Sequence, residues 1–378
     1  MMEDNFEWEN HPDSGNEDTA WEQTAQAEAL EQERQKMKRK IRFSANRIGW
    51  TTVLLIAAWM GFIVLFELII GTLNSFGISG AMEFYNKYIL IVNEVTLAIA
   101  ISVAGMLLLA LPKTAEEKRP MEFSRFLKLL VMCFGAAYIG NMIGNLFLTF
   151  WNASTGNSAG NELEALLTGM DPLIMFLSVG ILAPLLEELF FRKLLIDRLR
   201  PLGKAVSILL PAFLFALFHM SATQLIYAFA VGVILAYLYY ETGNYWLTVA
   251  VHALFNWISG FIPMLFLPKL NAFFGKYTQI TEGLPETAGV DEITEQLIPL
   301  FETYGATLAL YGFYALLVFA VNITGVVFLC MNIKKFRKLG EESVLRVSEV
   351  IKAAMLNPGM VVCTLALAAL TALTLFTQ

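Results

Sequence analysis

Apolar positions gather into nine runs separated by short polar breaks, at about 48–73, 87–111, 124–150, 172–198, 204–219, 222–241, 245–268, 305–332 and 356–377. Most are close to 20 residues or longer and carry few charges, which is the length an α-helix needs to cross a hydrocarbon core of about 30 Å. The pattern predicts an all-α, polytopic transmembrane bundle of eight or nine spans. No internal repeat and no second folded domain are visible.

Composition agrees with that reading. Hydrophobic residues make up 57% of the 378 and charged residues 16%, against about 25% charged in a typical soluble domain. Mean hydropathy is +0.59. Cys133, Cys330 and Cys363 all lie in apolar segments, where they behave as small hydrophobes and offer neither a disulfide framework nor metal-ligand spacing.

The net charge of −7 is unevenly spread. Residues 1–33 carry eleven acidic side chains and no Lys or Arg, a composition that predicts a disordered arm. No cleavable signal peptide is expected. Residues 34–47 hold seven basic side chains and are expected to form a juxtamembrane segment, as a topology anchor or as a helix lying on an anionic surface. Residues 48–378 form the predicted transmembrane domain. With the N-terminus on the cytoplasmic side of a cell membrane, only Lys87, Lys269 and Lys276 of the 26 basic residues fall outside, as the positive-inside tendency requires. The stretch 269–304, with Glu282, Glu286, Asp291, Glu292, Glu295 and Glu302 against two lysines, then faces outward.

Three polar clusters interrupt the apolar runs: Glu187-Glu188 with Arg192, Phe215 with His219, and His252 with Asn256. An ionisable side chain at membrane depth costs roughly 2.5–3.5 kcal/mol on insertion scales, so such residues have a use by default. The third histidine, His11, lies in the acidic arm, leaving His219 and His252 as the imidazoles for a buried site. Glu188 and Arg192 have the i,i+4 spacing of an ion pair on one helix face. Glu187 points about 100° away, free to act as a general base. The other reading is a charge network that closes the span. His219 alone reads equally as a satisfied core histidine, and Asn256 alone as a bridge between helices. His252 and Asn256 together project an imidazole and a carboxamide from one face.

A carboxylate, two imidazoles and an amide on neighbouring spans form a set able to hydrolyse an amide. The carboxylate activates a water, alone or with a metal, and the donors stabilise an oxyanion. Within the apolar runs there is no His-Glu-x-x-His, no Gly-x-Ser-x-Gly and no pair of aspartates. The three clusters, in this order on successive apolar helices, resemble the signature motifs of the CPBP family, also called Abi or CAAX-protease-like, over about 170–260. The resemblance implies an all-helical intramembrane endopeptidase. Glu187 and His219 would activate water, His252 and Asn256 would hold the oxyanion, and Glu188, Arg192 and Phe215 would support them. It leaves two mechanisms open, a zinc ion on Glu187, His219 and His252 or a metal-free glutamate. The implied partners are membrane lipids and a membrane-associated protein or peptide, with no nucleic acid. CAAX-type processing, peptide maturation and bacteriocin self-immunity are the implied roles. A non-catalytic scaffold or immunity protein and an ion-coupled transporter are the competing readings.

Straight helices would put Glu187, His219 and His252 at different depths. Helix tilt, a break of the fifth span at Pro211 or a bend of the fourth at Pro184 is expected to bring them around one cavity among the fourth, fifth and seventh spans, open to the cytoplasmic half. Glu67 and Glu94, without basic partners or motifs, are expected in helix–helix hydrogen bonds or at an interface. Asn141 and Asn145, with Gly140 and Gly144, suggest close helix packing and stay outside the site.

Overall fold

A computed structural model describes residues 15–78, 80–114, 117–156, 170–285, 289–337 and 344–376. Residues 1–14, part of the expected disordered arm and including His11, lie outside the described residues, as does Glu286. Among the described residues the chain is helical, with no strand. The helices are α1 (Gly15–Ser75), α2 (Ala81–Leu108), α3 (Phe123–Thr155), α4 (Pro172–Leu202), α5 (Lys204–Phe218), α6 (Leu225–Thr242), α7 (Tyr245–Gly283), α8 (Val290–Arg337), α9 (Val347–Met355) and α10 (Pro358–Thr374).

Seven of these are long and apolar enough to cross a membrane, or eight if α9 and α10, bent by 81°, count as one broken span. That agrees with the expected eight or nine, and the shortfall is α5. At 15 residues it is only about 22 Å long, shorter than the hydrocarbon core.

The acidic arm departs from expectation. From Gly15 onward it is helical and continuous with the first span, giving a helix of 61 residues. Composition explains the difference: residues 21–38 are mostly Ala, Glu, Gln, Leu, Lys and Arg, strong helix formers whose propensity outweighs the charge imbalance. Gln35 donates to Glu31 at 2.6 Å and Arg34 pairs with Glu31 at 3.4 Å, one turn apart. The basic stretch 34–47 is part of the same helix and is packed against other elements. Ile41, Ala45 and Ile48 are fully buried, α1 packs on α9 and α10, and Arg34 and Lys38 both grip Glu349 at 2.8 Å.

Two apolar clusters form the core. One joins α1, α2, α4, α5, α9 and α10 with Ala228 of α6; the other joins α3, α6 and α7, with Val321, Phe328 and Leu329 of α8 packed against it. Small residues let helices touch. A Cβ on Gly135 would fall 2.2 Å from the Gly325 backbone, and one on Gly140 would fall 2.5 Å from Tyr227 Cα. The packing expected from Gly140 and Gly144 is thus present between α3 and the start of α6. On α8, Leu310, Phe313 and Leu316 are exposed, as suits lipid contact.

Candidate active site

The seven singled-out residues lie on α4, α5 and α7, where the two apolar clusters meet. Phe215 belongs to the first cluster and touches His252, whose neighbours Val251 and Phe255 belong to the second.

Helix α4 is not a regular α-helix at this point. The Ala183 N–H bonds to Ser178 O, five residues back, so a π-turn spans Ser178–Leu182. A regular α-helix would instead join residue 183 to Val179 O, so that carbonyl is released. Pro184 has no N–H to give to Gly180 O, so a second carbonyl is released. Both are taken by consecutive side chains of α7: Asn256 Nδ2 donates to Val179 O at 3.0 Å and Trp257 Nε1 to Gly180 O at 2.9 Å. Only glycine fits position 180, because a Cβ there would lie 2.5 Å from Trp257 Nε1. One turn on, Tyr245 Oη donates to Leu185 O at 2.7 Å. A second π-turn, Glu188–Leu194, carries Arg192. π-Turns inside helices occur frequently at functional sites.

Glu188 and Arg192 form the expected ion pair, 3.0 Å apart and both with 0% side-chain exposure. Charge and stacking hold the guanidinium: among the described residues Arg192 makes no hydrogen bond, and it lies 4.3 Å over the Phe215 ring. Glu188 has a second role that sequence did not reveal. Its Oε1 also accepts from His252 Nδ1 at 2.8 Å, which fixes the imidazole's orientation. The other ring nitrogen, Nε2, then faces Glu187 Oε2 at 3.7 Å. Glu187 keeps 15% of its side chain exposed, so it remains reachable.

His219 is the residue that caps α5, and its Nδ1 donates to Phe215 O at 2.8 Å, leaving Nε2 open. The next residue, Met220, takes a left-handed conformation with φ 48° and turns the chain toward α6. Phe215 contacts both imidazoles edge-on, at 4.7 Å from His219 and 5.8 Å from His252. The expected break at Pro211 is absent: α5 is continuous through it. The histidines approach a common ring because α5 is short and stops at His219, and because α4 is widened by its π-turns.

Asn256 is already engaged with Val179 O. A carboxamide nitrogen carries two hydrogens, so one donor remains for a ligand. Of the zinc set considered above, Glu187 and His252 face each other. Among the described residues no three His, Cys, Asp or Glu side chains converge as a metal-ligand group. The donors therefore do not fit a three-ligand zinc site in this arrangement, and no step below passes through a metal.

Two neighbours were missed. Tyr227 on α6 and Glu94 on α2 both interact electrostatically with Glu187. Glu67 behaves as expected, accepting from Tyr85 Oη across α1 and α2 at 3.0 Å. Glu94 does not: it is buried, and its Oε2 has no partner among the described residues. Its position in an otherwise apolar helix was the available signal.

The fold and this centre together define a multi-pass α-helical membrane protein with its reactive side chains held inside the bundle. More particularly, residues 169–258 match a family model described as type II CAAX prenyl endopeptidase Rce1-like. That segment is about a quarter of the chain and contains all seven residues above, and it supports an intramembrane endopeptidase. No curated protein and no solved structure matches the chain.

Proposed function

We propose that this protein hydrolyses a peptide bond in a membrane-associated protein or peptide by means of a water activated at Glu187. The observation that carries the reading is His252, bonded by Glu188 through Nδ1 and turned by that bond so that Nε2 faces Glu187 across 3.7 Å. A carboxylate that orients an imidazole is the arrangement by which hydrolases prepare a histidine to receive and return a proton.

Glu187, with His219 Nε2 as a second acceptor, holds the water. As the water oxygen bonds to the carbonyl carbon, its proton passes to Glu187. The proton lies within reach of His252 Nε2, which then donates to the oxyanion beside the remaining Asn256 N–H. On collapse the C–N bond breaks, the proton returns from His252 through Glu187 to the nitrogen, and a neutral amine leaves beside the new carboxylic acid. Glu188 and Arg192 take no proton; they hold His252 in place.

The domain match favours prenyl-type CAAX processing as the substrate class, ahead of peptide maturation or bacteriocin self-immunity. The distribution of basic residues supports an N-in orientation in the cell membrane, so a substrate would be presented from the cytoplasmic side. The competing scaffold reading draws on Asn256 and Trp257, which dock α7 on α4.

The deciding experiment compares membrane peptides from cells carrying the wild type or Glu187→Gln. Processing should fall by about a hundredfold or more, the contribution of a general base, with the variant still folded. Identical peptide profiles would overturn the proteolytic reading.

A further inference from the structure

Glu94 sits midway along α2, outside the matched domain, with 8% of its surface exposed. Its Oε2 has no hydrogen-bond partner among the described residues. Helix α2 packs along α4 over the stretch that contains Glu187, and the charges of the two glutamates repel across that contact. Asn93 on its own helix hydrogen-bonds to the carboxylate, which leaves Oε2 as the open oxygen. The acidic residue of the first span, Glu67, is occupied by Tyr85, more than two turns along α2. A buried carboxyl with an unsatisfied oxygen is costly to keep. A helix–helix role would give it a partner, as it does for Glu67.

Resting on the hydrolytic reading above, we propose that Glu94 receives the amine product. The reaction turns an uncharged peptide nitrogen into a neutral amine with the proton Glu187 took from the water, and then into an ammonium with the second water proton, which the new carboxylic acid gives up to leave a carboxylate. A cation formed inside an apolar bundle needs a counter-charge nearby. Glu94 offers an open acceptor close to the group that delivers the proton. An ammonium between the two glutamates also relieves their mutual repulsion. Before cleavage the same oxygen accepts the N–H of the scissile peptide, placing the nitrogen near Glu187. The class of group recognised is therefore a peptide N–H that becomes a primary ammonium, and Glu94 contacts the leaving half of the substrate.

The test uses full-length protein in lipid nanodiscs and a pair of substrates, a peptide and the matching ester with oxygen in place of the scissile nitrogen. The alcohol released from the ester neither donates a peptide N–H nor becomes a cation. Glu94→Leu should lower the turnover of the peptide by about tenfold or more, in the range seen when one electrostatic contact to the reacting centre is removed. Turnover of the ester should stay within about twofold, and Glu94→Asp should restore part of the peptide activity. Thermal unfolding of Glu94→Leu should be no lower than wild type, since an unpaired buried carboxyl has been removed. Equal losses on both substrates, or none on either, would overturn the role of Glu94. A folded wild type that cleaves neither substrate would remove the hydrolytic reading itself, and this role with it.

Discussion

Glu188 accepts a hydrogen bond from His252 Nδ1 at 2.8 Å while the same oxygen lies 3.0 Å from Arg192 Nη1. One carboxylate thus neutralises a fully buried guanidinium and aims the imidazole that faces Glu187. The two roles can be separated by mutation. Glu188→Ala leaves Arg192 charged and unpaired, and breaking a buried pair by removing one partner costs about 3–5 kcal/mol. Replacing both, as Glu188→Leu with Arg192→Met, should recover most of the thermal stability in detergent. It should not recover peptide cleavage, because His252 has lost its orienting partner. Recovery of activity in the double variant would show that the imidazole needs no carboxylate to aim it.

The π-turn at Ser178–Leu182 is held by α7 and can be tested without touching an ionisable group. Trp257→Phe removes one hydrogen bond to Gly180 O and keeps most of the apolar surface, so it should cost about 0.5–1.5 kcal/mol. Gly180→Ala should be worse, since its Cβ would meet the indole at 2.5 Å. Both should lower turnover as α4 and α7 separate, and melting curves beside peptide-cleavage rates would show it. A cleavage rate that is untouched in Gly180→Ala would mean that the register of α4 does not set the position of Glu187.

These contacts also mark where sequence became silent. The apolar runs and the order of Glu187, His219 and His252 were legible because helix length in a membrane is set by hydrocarbon thickness and because buried ions are rare. The pairing of Glu188 with His252, 64 residues apart, is tertiary and has no local signature. The orphan carbonyl of Gly180 was half visible, since Pro184 announces a missing N–H. Its acceptance of the Trp257 indole was not. Arm residues 21–33 were misjudged because charge was weighed above helix propensity. Glu94 was passed over because it lacks a motif, although burial in an apolar helix is itself the informative property.

At the other end of the protein, Arg34 and Lys38 of α1 clamp Glu349 of α9. Helix α9 is turned 81° from α10 and carries Arg346, Glu349 and Lys352, which places it outside the apolar spans. The hydrogen bonds from Lys38, the Arg346 backbone and Arg34 hold the Glu349 carboxyl down, from an ordinary 4.5 to about 2. A carboxyl whose value falls on folding contributes stability above its unfolded value and loses it as pH drops toward its folded value. The clamp should therefore be intact above about pH 4.5 and weaken between there and about pH 2. Spin labels placed at Gln35 and Lys352 should separate over that window, whereas in Glu349→Gln the distance should not respond to pH in the same range. A transition centred well above pH 4.5 would assign the clamp to another group.

Met220 stands immediately after His219 with φ 48°, a left-handed conformation that costs an L-residue roughly 1–2 kcal/mol. The turn it makes ends α5 at His219 instead of letting the helix continue, and so fixes the depth of that imidazole. A β-branched side chain is the poorest fit to such a backbone. Met220→Val should accordingly destabilise the turn, let the end of α5 shift and lower the cleavage rate more than it lowers the melting temperature. Met220→Gly removes the backbone strain but also the packing of Met220 against the first apolar cluster. The two effects oppose each other, so its stability should stay within about 1 kcal/mol of wild type, with cleavage retained. Measuring unfolding and peptide turnover for the pair separates backbone geometry from side-chain packing. If Met220→Val cleaves as fast as Met220→Gly, the left-handed residue does not govern where His219 sits.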